Sequence, residues 1–219
     1  MIQAYTFNTQ YNPVAQQRTY LPSLRLLEGG RFAPGEFAPV LLQGDEQIRL
    51  QFMQWGLISG PAGRRVPPSG MLYAPASQAI NHPAFRQPFM RQRCLIPTDG
   101  FYLSAQHGPR EAGTFKVQAG NQPTFCFAGL YDQYVQADGT VRHSFAIMTT
   151  PAQGSFRRFN LQMPLILPRW AEQPWLNPTT PMGHVAALLQ KPVTQRLDIN
   201  PVLELALQGE PQTWEQVAA

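Results

Sequence analysis

Prolines and glycines divide this chain into short segments, and that spacing limits the secondary structure it can form. The 219 residues include 22 prolines and 17 glycines. A proline inside a helix removes a hydrogen bond and clashes with the preceding turn, so long helices are excluded over most of the chain. The apolar runs between the breaks alternate with polar residues or are rich in aromatic and β-branched side chains, which is typical of strands. Such runs occupy residues 47–53, 115–119, 124–131, 143–150 and 163–167.

Helical signals are fewer, and each covers only two or three turns. Pro83 suits the first position of a helix, because no backbone N–H is needed there, and His82 precedes it as the entry residue. Pro88 should kink or end this helix within two turns. Two further helices are predicted at residues 183–190 and around residues 201–208.

The order of these segments favours one α+β domain spanning residues 1–219. Asp138 and Gly139 lie between two strand-like runs and predict a tight hairpin turn. Residues 60–70 are rich in glycine and proline and read as a surface loop inside the domain, not as a linker. We therefore expect a single domain with a mainly antiparallel, curled or barrel-like sheet and a few short helices.

Cysteine, histidine and hydropathy patterns exclude several classes of protein. Cys94 and Cys126 are too few for a disulfide scaffold and too far apart for a zinc site, and each lies in a strand-like run where burial is expected. The run at 163–167 is far shorter than the roughly 20 apolar residues that span a membrane, and no signal peptide opens the chain. A reducing cytoplasm is the expected location. No metal or cofactor is expected, because metal-ligand spacing is absent among His82, His107, His143 and His184.

The charge of the chain is mildly basic and depends on arginine. Its 17 basic and 13 acidic residues give a net charge of +4, and only Lys116 and Lys191 are lysines. Arginines can contact the phosphates of a nucleic acid while aromatic side chains stack on its bases. The alternative is an ordinary solvated surface. The candidate contacts are Trp55 and Tyr73 as stacking platforms and Arg64, Arg65, Arg86, Arg91, Arg93, Arg157 and Arg158.

Five segments, taken in chain order, resemble the motifs of one family. They read QWGLIS at 54–59, FRQPFMRQRCLIPTDGFY at 85–102, FAGLY at 127–131, SFAIMTT at 144–150 and MPLIL at 163–167. The ordered set is similar to the SOS response-associated peptidases, also described as abasic-site processing proteins. The resemblance implies a barrel-like α+β domain with a groove for single-stranded DNA. It also implies that Arg86, Thr149 or Thr150, and Gln162 lie near the DNA path.

The resemblance also implies a covalent chemistry, and its residues are replaced in this chain. In the family, an N-terminal cysteine closes a thiazolidine on the aldehyde of an abasic site, helped by an Asn, a Glu and a His. These four positions hold Ile2, Tyr73, Leu103 and Asn160, so the thiol nucleophile and the proton-transferring carboxylate are missing. We expect the covalent reaction to be lost and Met1 to be retained. Ligand-facing arginines of the family are likewise replaced, at Ala4, Pro75 and Gln162.

Three functional hypotheses remain open on these residues. The first is a catalytically degenerate, non-covalent module that binds single-stranded DNA. The second is an enzyme with an altered site, and the third is a protein-interaction module on the same scaffold. A closed apolar pocket at Ile2 and Leu103 would favour the third. The altered enzyme would use the polar groups of Tyr73, Asn160 and Gln162, with Ser77 or Ser104 nearby.

Overall fold

Two β-sheets form the frame of the protein. The computed structural model describes residues 2–8, 30–45, 47–59, 70–106, 112–120, 124–136, 138–190 and 196–202. Its strands are β1 (Ile2–Phe7), β2 (Gly30–Phe32), β3 (Phe37–Gln43), β4 (Ile48–Trp55), β5 (Tyr73–Pro75), β6 (Arg93–Thr98), β7 (Gly100–Gln106), β8 (Ala112–Ala119), β9 (Phe125–Val135), β10 (Val141–Pro151), β11 (Gln162–Pro164), β12 (Ile166–Leu167) and β13 (Leu197–Val202). The helices are α1 (Pro83–Arg91), α2 (Arg169–Leu176) and α3 (Met182–Leu189), and two 3₁₀ turns span Ala76–Gln78 and Gly154–Arg158.

Five of these strands close into a barrel. Their order is β10-β4-β3-β6-β9, and β9 pairs again with β10 to complete the ring. The neighbours are antiparallel except for β10 with β4, which run parallel with Phe145 beside Trp55. The predicted curled, mainly antiparallel sheet is confirmed in this closed form. The α+β class is confirmed as well, with strands dominating.

A second sheet packs against the barrel and contains the first and last described strands. Its order is β13-β8-β7-β1-β2, and all its pairs are antiparallel. Tyr5 of β1 lies opposite Phe101 of β7, which lies opposite Val117 of β8. These inward-facing side chains continue into the barrel interior and form one apolar core.

A second apolar core lies between the outside of the barrel and the three helices. Side chains alternate along a strand, so β10 sends Phe145 and Ile147 into the first core and Ala146 and Met148 into the second. The strand is therefore buried on both faces, which explains its nearly continuous apolar sequence. Trp175 of α2 is fully buried in this second core.

Most of the predicted strands are confirmed. The runs at 47–53, 115–119, 124–131 and 143–150 fall in β4, β8, β9 and β10, and the run at 163–167 is divided into β11 and β12. The predicted turn joins β9 to β10, with Gly139 at a φ of +84° that suits glycine.

The helix predictions have mixed outcomes. A helix begins at Pro83 as predicted, and it continues past Pro88 to Arg91. The helix predicted at 183–190 is confirmed as α3. The helix predicted around 201–208 is wrong at Pro201, which lies in β13; residues 203–208 are outside the described residues.

Several other expectations concern positions outside the described residues, namely Met1, most of the 60–70 loop and the domain limits at 1 and 219. Those expectations stay predictions. The described helices lack the length and apolarity that crossing a bilayer requires.

Candidate functional site

Ile2, Tyr73 and Leu103, which the resemblance predicts at three of the four family positions, meet where β1 approaches the barrel. Ile2 is the direct partner of Leu103 across the β1–β7 pair. Tyr73 donates a hydrogen bond of 2.5 Å from its hydroxyl to the Ile2 carbonyl oxygen. Ile2 is 6% exposed and Leu103 is 1% exposed. The contact between Ile2 and Leu103 is therefore closed and apolar.

Tyr73 acts here as a half-buried hydrogen-bond donor. It lies on β5, which pairs in parallel with β10 so that Tyr73 is beside Ile147. Its ring meets the edge of the Trp55 ring at a centroid distance of 6.1 Å. Burial raises the pKa of the Tyr73 phenol far above neutral pH. The hydroxyl thus keeps its proton, and its donor bond fixes the start of β1.

Asn160, at the fourth family position, adjoins the same apolar wall. Its neighbour Phe159 packs against Phe115 at a centroid distance of 4.9 Å, and Phe115 lies opposite Leu103. The Asn160 side-chain oxygen accepts a hydrogen bond of 3.2 Å from the Gln162 backbone N–H. The Asn160 side chain is thus a neutral amide that stabilises a turn.

The chemical groups at the four positions are hydrocarbon, phenol and amide, and none is an acid or base near neutral pH. The free cysteines Cys94 and Cys126 are buried as expected, and burial raises the pKa of the Cys94 thiol. Ser104 lies next to Leu103 on β7 and so faces the opposite side of the strand. In the part of the chain that the structure describes, no group of three His, Cys, Asp or Glu side chains is placed to hold a metal ion.

Trp55 is not available as a stacking platform, which corrects the expectation from the sequence. Its side chain is fully buried at 0% exposure, and its ring stacks on Phe145 at 6.4 Å. The indole N–H donates to the Leu72 carbonyl oxygen at 3.1 Å. Because Met53 and Trp55 alternate with outward side chains on β4, both face the barrel interior.

Arg93 is also interior and cannot contact DNA phosphates as expected. It is 3% exposed and lies over the Trp175 ring at 5.9 Å. Burial lowers the pKa of its guanidinium. The side chain joins the C-terminal ends of α1 and α2, because it donates hydrogen bonds of 2.6 to 3.0 Å to the carbonyl oxygens of Phe89, Met90, Trp175 and Asn177.

The other candidate DNA contacts differ in how exposed they are. Arg86 and Arg91 are exposed on α1, whereas Arg64 and Arg65 lie outside the described residues. Thr149 is 4% exposed and lies between Pro75 of β5 and Pro164 of β11. Gln162 is half-buried on β11. Arg157 and Arg158 are exposed on the 3₁₀ turn that precedes Asn160.

The β10–β11 hairpin therefore brings together Thr149, Arg157, Arg158, Asn160 and Gln162. We call its connection, residues 152–161, the β10–β11 loop. Arg157 holds this loop by donating from Nε to the Ala152 carbonyl oxygen at 2.8 Å.

A groove of about 800 Å³ lies beside this loop. Phe156, Phe159 and Met163 line one side, and residues 196–200, which contain the first part of β13, line the other. The two sides are distant in the sequence, so no local motif indicates the groove.

The chain was compared with known protein families, curated proteins and solved structures. A family model described as SOS response associated peptidase matches residues 6–206. The abasic site processing protein YoaM of Bacillus subtilis is 30% identical over 158 residues, which cover 72% of this chain and 70% of that protein. The abasic site processing protein YoqW of the same organism is 27% identical over 190 residues, covering 85% of each chain.

Two solved structures share the fold. A protein from Bacteroides thetaiotaomicron has a TM-score of 0.80 and 23% identity, and the match covers 96% of both chains. A protein from Bordetella bronchiseptica has a TM-score of 0.73 and 20% identity, covering 92% of this chain and 99% of that one.

Proposed function

The chain belongs to the SOS response-associated peptidase family, and from this premise we propose that it binds single-stranded DNA without linking to it covalently. The observation that carries the non-covalent part is the closed apolar contact between Ile2 and Leu103. The DNA part is supported by the relatives named abasic site processing proteins and by the charge of the β10–β11 hairpin.

A covalent reaction with an aldehyde needs a nucleophile that the aldehyde can reach. Ile2 has a hydrocarbon side chain, only 6% of the residue is exposed, and its carbonyl is held by Tyr73. Leu103, at the position of the carboxylate in the family, cannot move a proton. This site therefore has neither a nucleophile to attack the aldehyde nor a carboxylate to transfer the proton.

The positive charge of the β10–β11 hairpin favours binding of a polyanion such as DNA. Residues 143–171 contain three arginines, Arg157, Arg158 and Arg169, and no aspartate or glutamate. Arg157 and Arg158 are exposed in the middle of this stretch, next to the Asn160 and Gln162 amides. A cationic surface with neighbouring amide donors attracts phosphates and gives binding that weakens with salt.

The proposal is tested with labelled single strands, one intact and one carrying an abasic site. We expect salt-sensitive binding of both strands and no product that survives denaturation. The double variant Arg157→Gln/Arg158→Gln should lower the slope of log affinity against log salt by about 1.4 for a single strand. Arg142→Gln is the matched control, because Arg142 is near the far end of β10 and lies over the Phe37 ring. An adduct that survives denaturation, or no salt-sensitive shift at low ionic strength, would refute the proposal.

A protein-interaction module is the second candidate, and the closed contact between Ile2 and Leu103 favours it. A domain whose interior pocket is filled by packed side chains can still bind a partner protein through its surface. This candidate predicts no binding of either strand at low salt. The titration above therefore separates the two functions.

A further inference from the structure

Leu161, in the β10–β11 loop, is unusually exposed for a large apolar side chain. It is 84% exposed, whereas the next most exposed large hydrophobic residues in the described ranges, Trp170 and Val135, are each 55% exposed. Single exposed apolar residues are common on protein surfaces. Leu161 differs in its degree of exposure and in lying on the same loop as the exposed Arg157 and Arg158.

The backbone around Leu161 is fixed by hydrogen bonds. The Ala152 N–H donates to the Leu161 carbonyl oxygen at 2.9 Å, and the Asn160 N–H donates to the Phe156 carbonyl oxygen at 3.1 Å. Phe156 is 3% exposed and packs against Phe101 at 6.1 Å. The loop is thus held at both ends, and the Leu161 side chain is displayed by an ordered turn.

The charge around Leu161 restricts the chemistry of a partner. Arg157 and Arg158 are exposed on the same loop, and residues 143–171 contain no acidic residue. Across the groove lie one cation and one carboxylate, Arg196 and Asp198. A phosphate backbone complements these cations. In a single strand the bases are unstacked, and their apolar faces are available to side chains. In a duplex those faces are covered by their neighbours.

We propose that Leu161 packs against the unstacked bases of single-stranded DNA while Arg157 and Arg158 contact its phosphates. This inference rests on the proposed function and adds an apolar contact to the bases beside the contacts to the phosphates. The contact is apolar, so it discriminates little among the four bases. The rigid turn means that binding does not have to order the leucine backbone.

The test compares two single strands with the same phosphates. One is an ordinary strand of roughly 12 nucleotides, and the other has tetrahydrofuran abasic residues throughout and so has no bases to pack against. Leu161→Ser should weaken binding of the ordinary strand by about tenfold, which is the scale of burying part of a leucine. The same variant should bind the base-free strand as the unchanged protein does, with an unchanged salt slope.

Two further variants complete the test. Val135→Ser removes an apolar side chain that is 55% exposed at the end of β9, and it should leave both affinities unchanged. Arg157→Gln/Arg158→Gln should weaken binding of both strands. Thermal melts of all variants verify folding. Because Leu161 is so exposed, its replacement should leave the melting temperature unchanged.

Each outcome separates this inference from the proposed function. If the unchanged protein binds with salt sensitivity but Leu161→Ser has no effect, or weakens both strands equally, the role of Leu161 is refuted and the proposed function stands. If the unchanged protein binds neither strand at low salt, both are refuted.

Discussion

Replacing Arg93 by methionine should destabilise the protein without changing its contacts with DNA. Methionine keeps much of the apolar stem and removes the guanidinium that joins α1 to α2. Four carbonyl oxygens, at Phe89, Met90, Trp175 and Asn177, then lose a charged donor. Because Arg93 is 3% exposed, water cannot simply take the place of the lost donors.

The magnitude follows from these contacts. A hydrogen bond to a charged group contributes about 1.5–3 kcal/mol, but contacts that share one side chain do not add in full, and burying the charge has its own cost. We therefore expect a loss of about 3–5 kcal/mol in the free energy of unfolding. At roughly 2–4 °C per kcal/mol for a domain of this size, the melting temperature should fall by about 6–20 °C.

The measurement is urea unfolding followed by far-ultraviolet circular dichroism and tryptophan fluorescence. Arg86→Met is the matched control, because Arg86 is exposed on α1 and its replacement should change stability by no more than about 0.5 kcal/mol. At a temperature where Arg93→Met is folded, its affinity for a single strand should equal that of the unchanged protein. A loss below about 1 kcal/mol, or a folded variant with weakened DNA binding, would refute this interpretation.

Three more predictions follow from single sites. Ile2→Cys alone should form no denaturation-resistant adduct with an abasic-site strand, because the proton-transferring groups remain absent; mass spectrometry with and without Met1 removal tests this. The pKa of His143 should lie below the ordinary value, lowered by burial and then by the charge of Arg49, so NMR titration should show Arg49→Gln raising it. Because the unfolded state binds this proton more readily than the folded state, protonation of His143 favours unfolding. The contribution of neutral His143 to the free energy of unfolding is therefore present above about pH 6.5 and is lost as the pH falls through its folded pKa. Gly129→Ala should cost about 1–3 kcal/mol in chemical denaturation, because the new Cβ would lie 2.3 Å from Ile96 Cδ1.

The proposed loss of the family chemistry can be argued from the sequence alone, because it depends on residue identity. Ile2 and Leu103 lack the required groups wherever they lie, and the flanking motifs fix which positions they occupy. What the sequence could not establish was that the two side chains face each other in a closed contact. That depends on the register of β1 against β7, strands separated by more than ninety residues.

The roles of Trp55 and Arg93 were beyond prediction for a related reason. A tryptophan suits both a core and a stacking surface, and only closure of the barrel decides which way β4 faces. An arginine is normally exposed. Arg93 can be buried because carbonyl oxygens accept its hydrogen bonds, and some of these belong to a helix more than seventy residues later in the chain. The helix α2 was itself missed, because Pro174 inside it reads as a break.

The position of β1 in the second sheet has a consequence for synthesis of the chain. All five barrel strands lie within residues 37–151, but β1 must wait for β7, and the contact between Thr6 and Gly100 closes a separation of 94 residues. At roughly 5–20 residues per second, β1 is without β7 for about 5–20 s as the chain emerges, and only β2 can pair with it in that time. Ile2 makes this waiting strand more apolar than a cysteine would. An apolar strand whose edge toward β7 is still unpaired can pair wrongly before β7 is made.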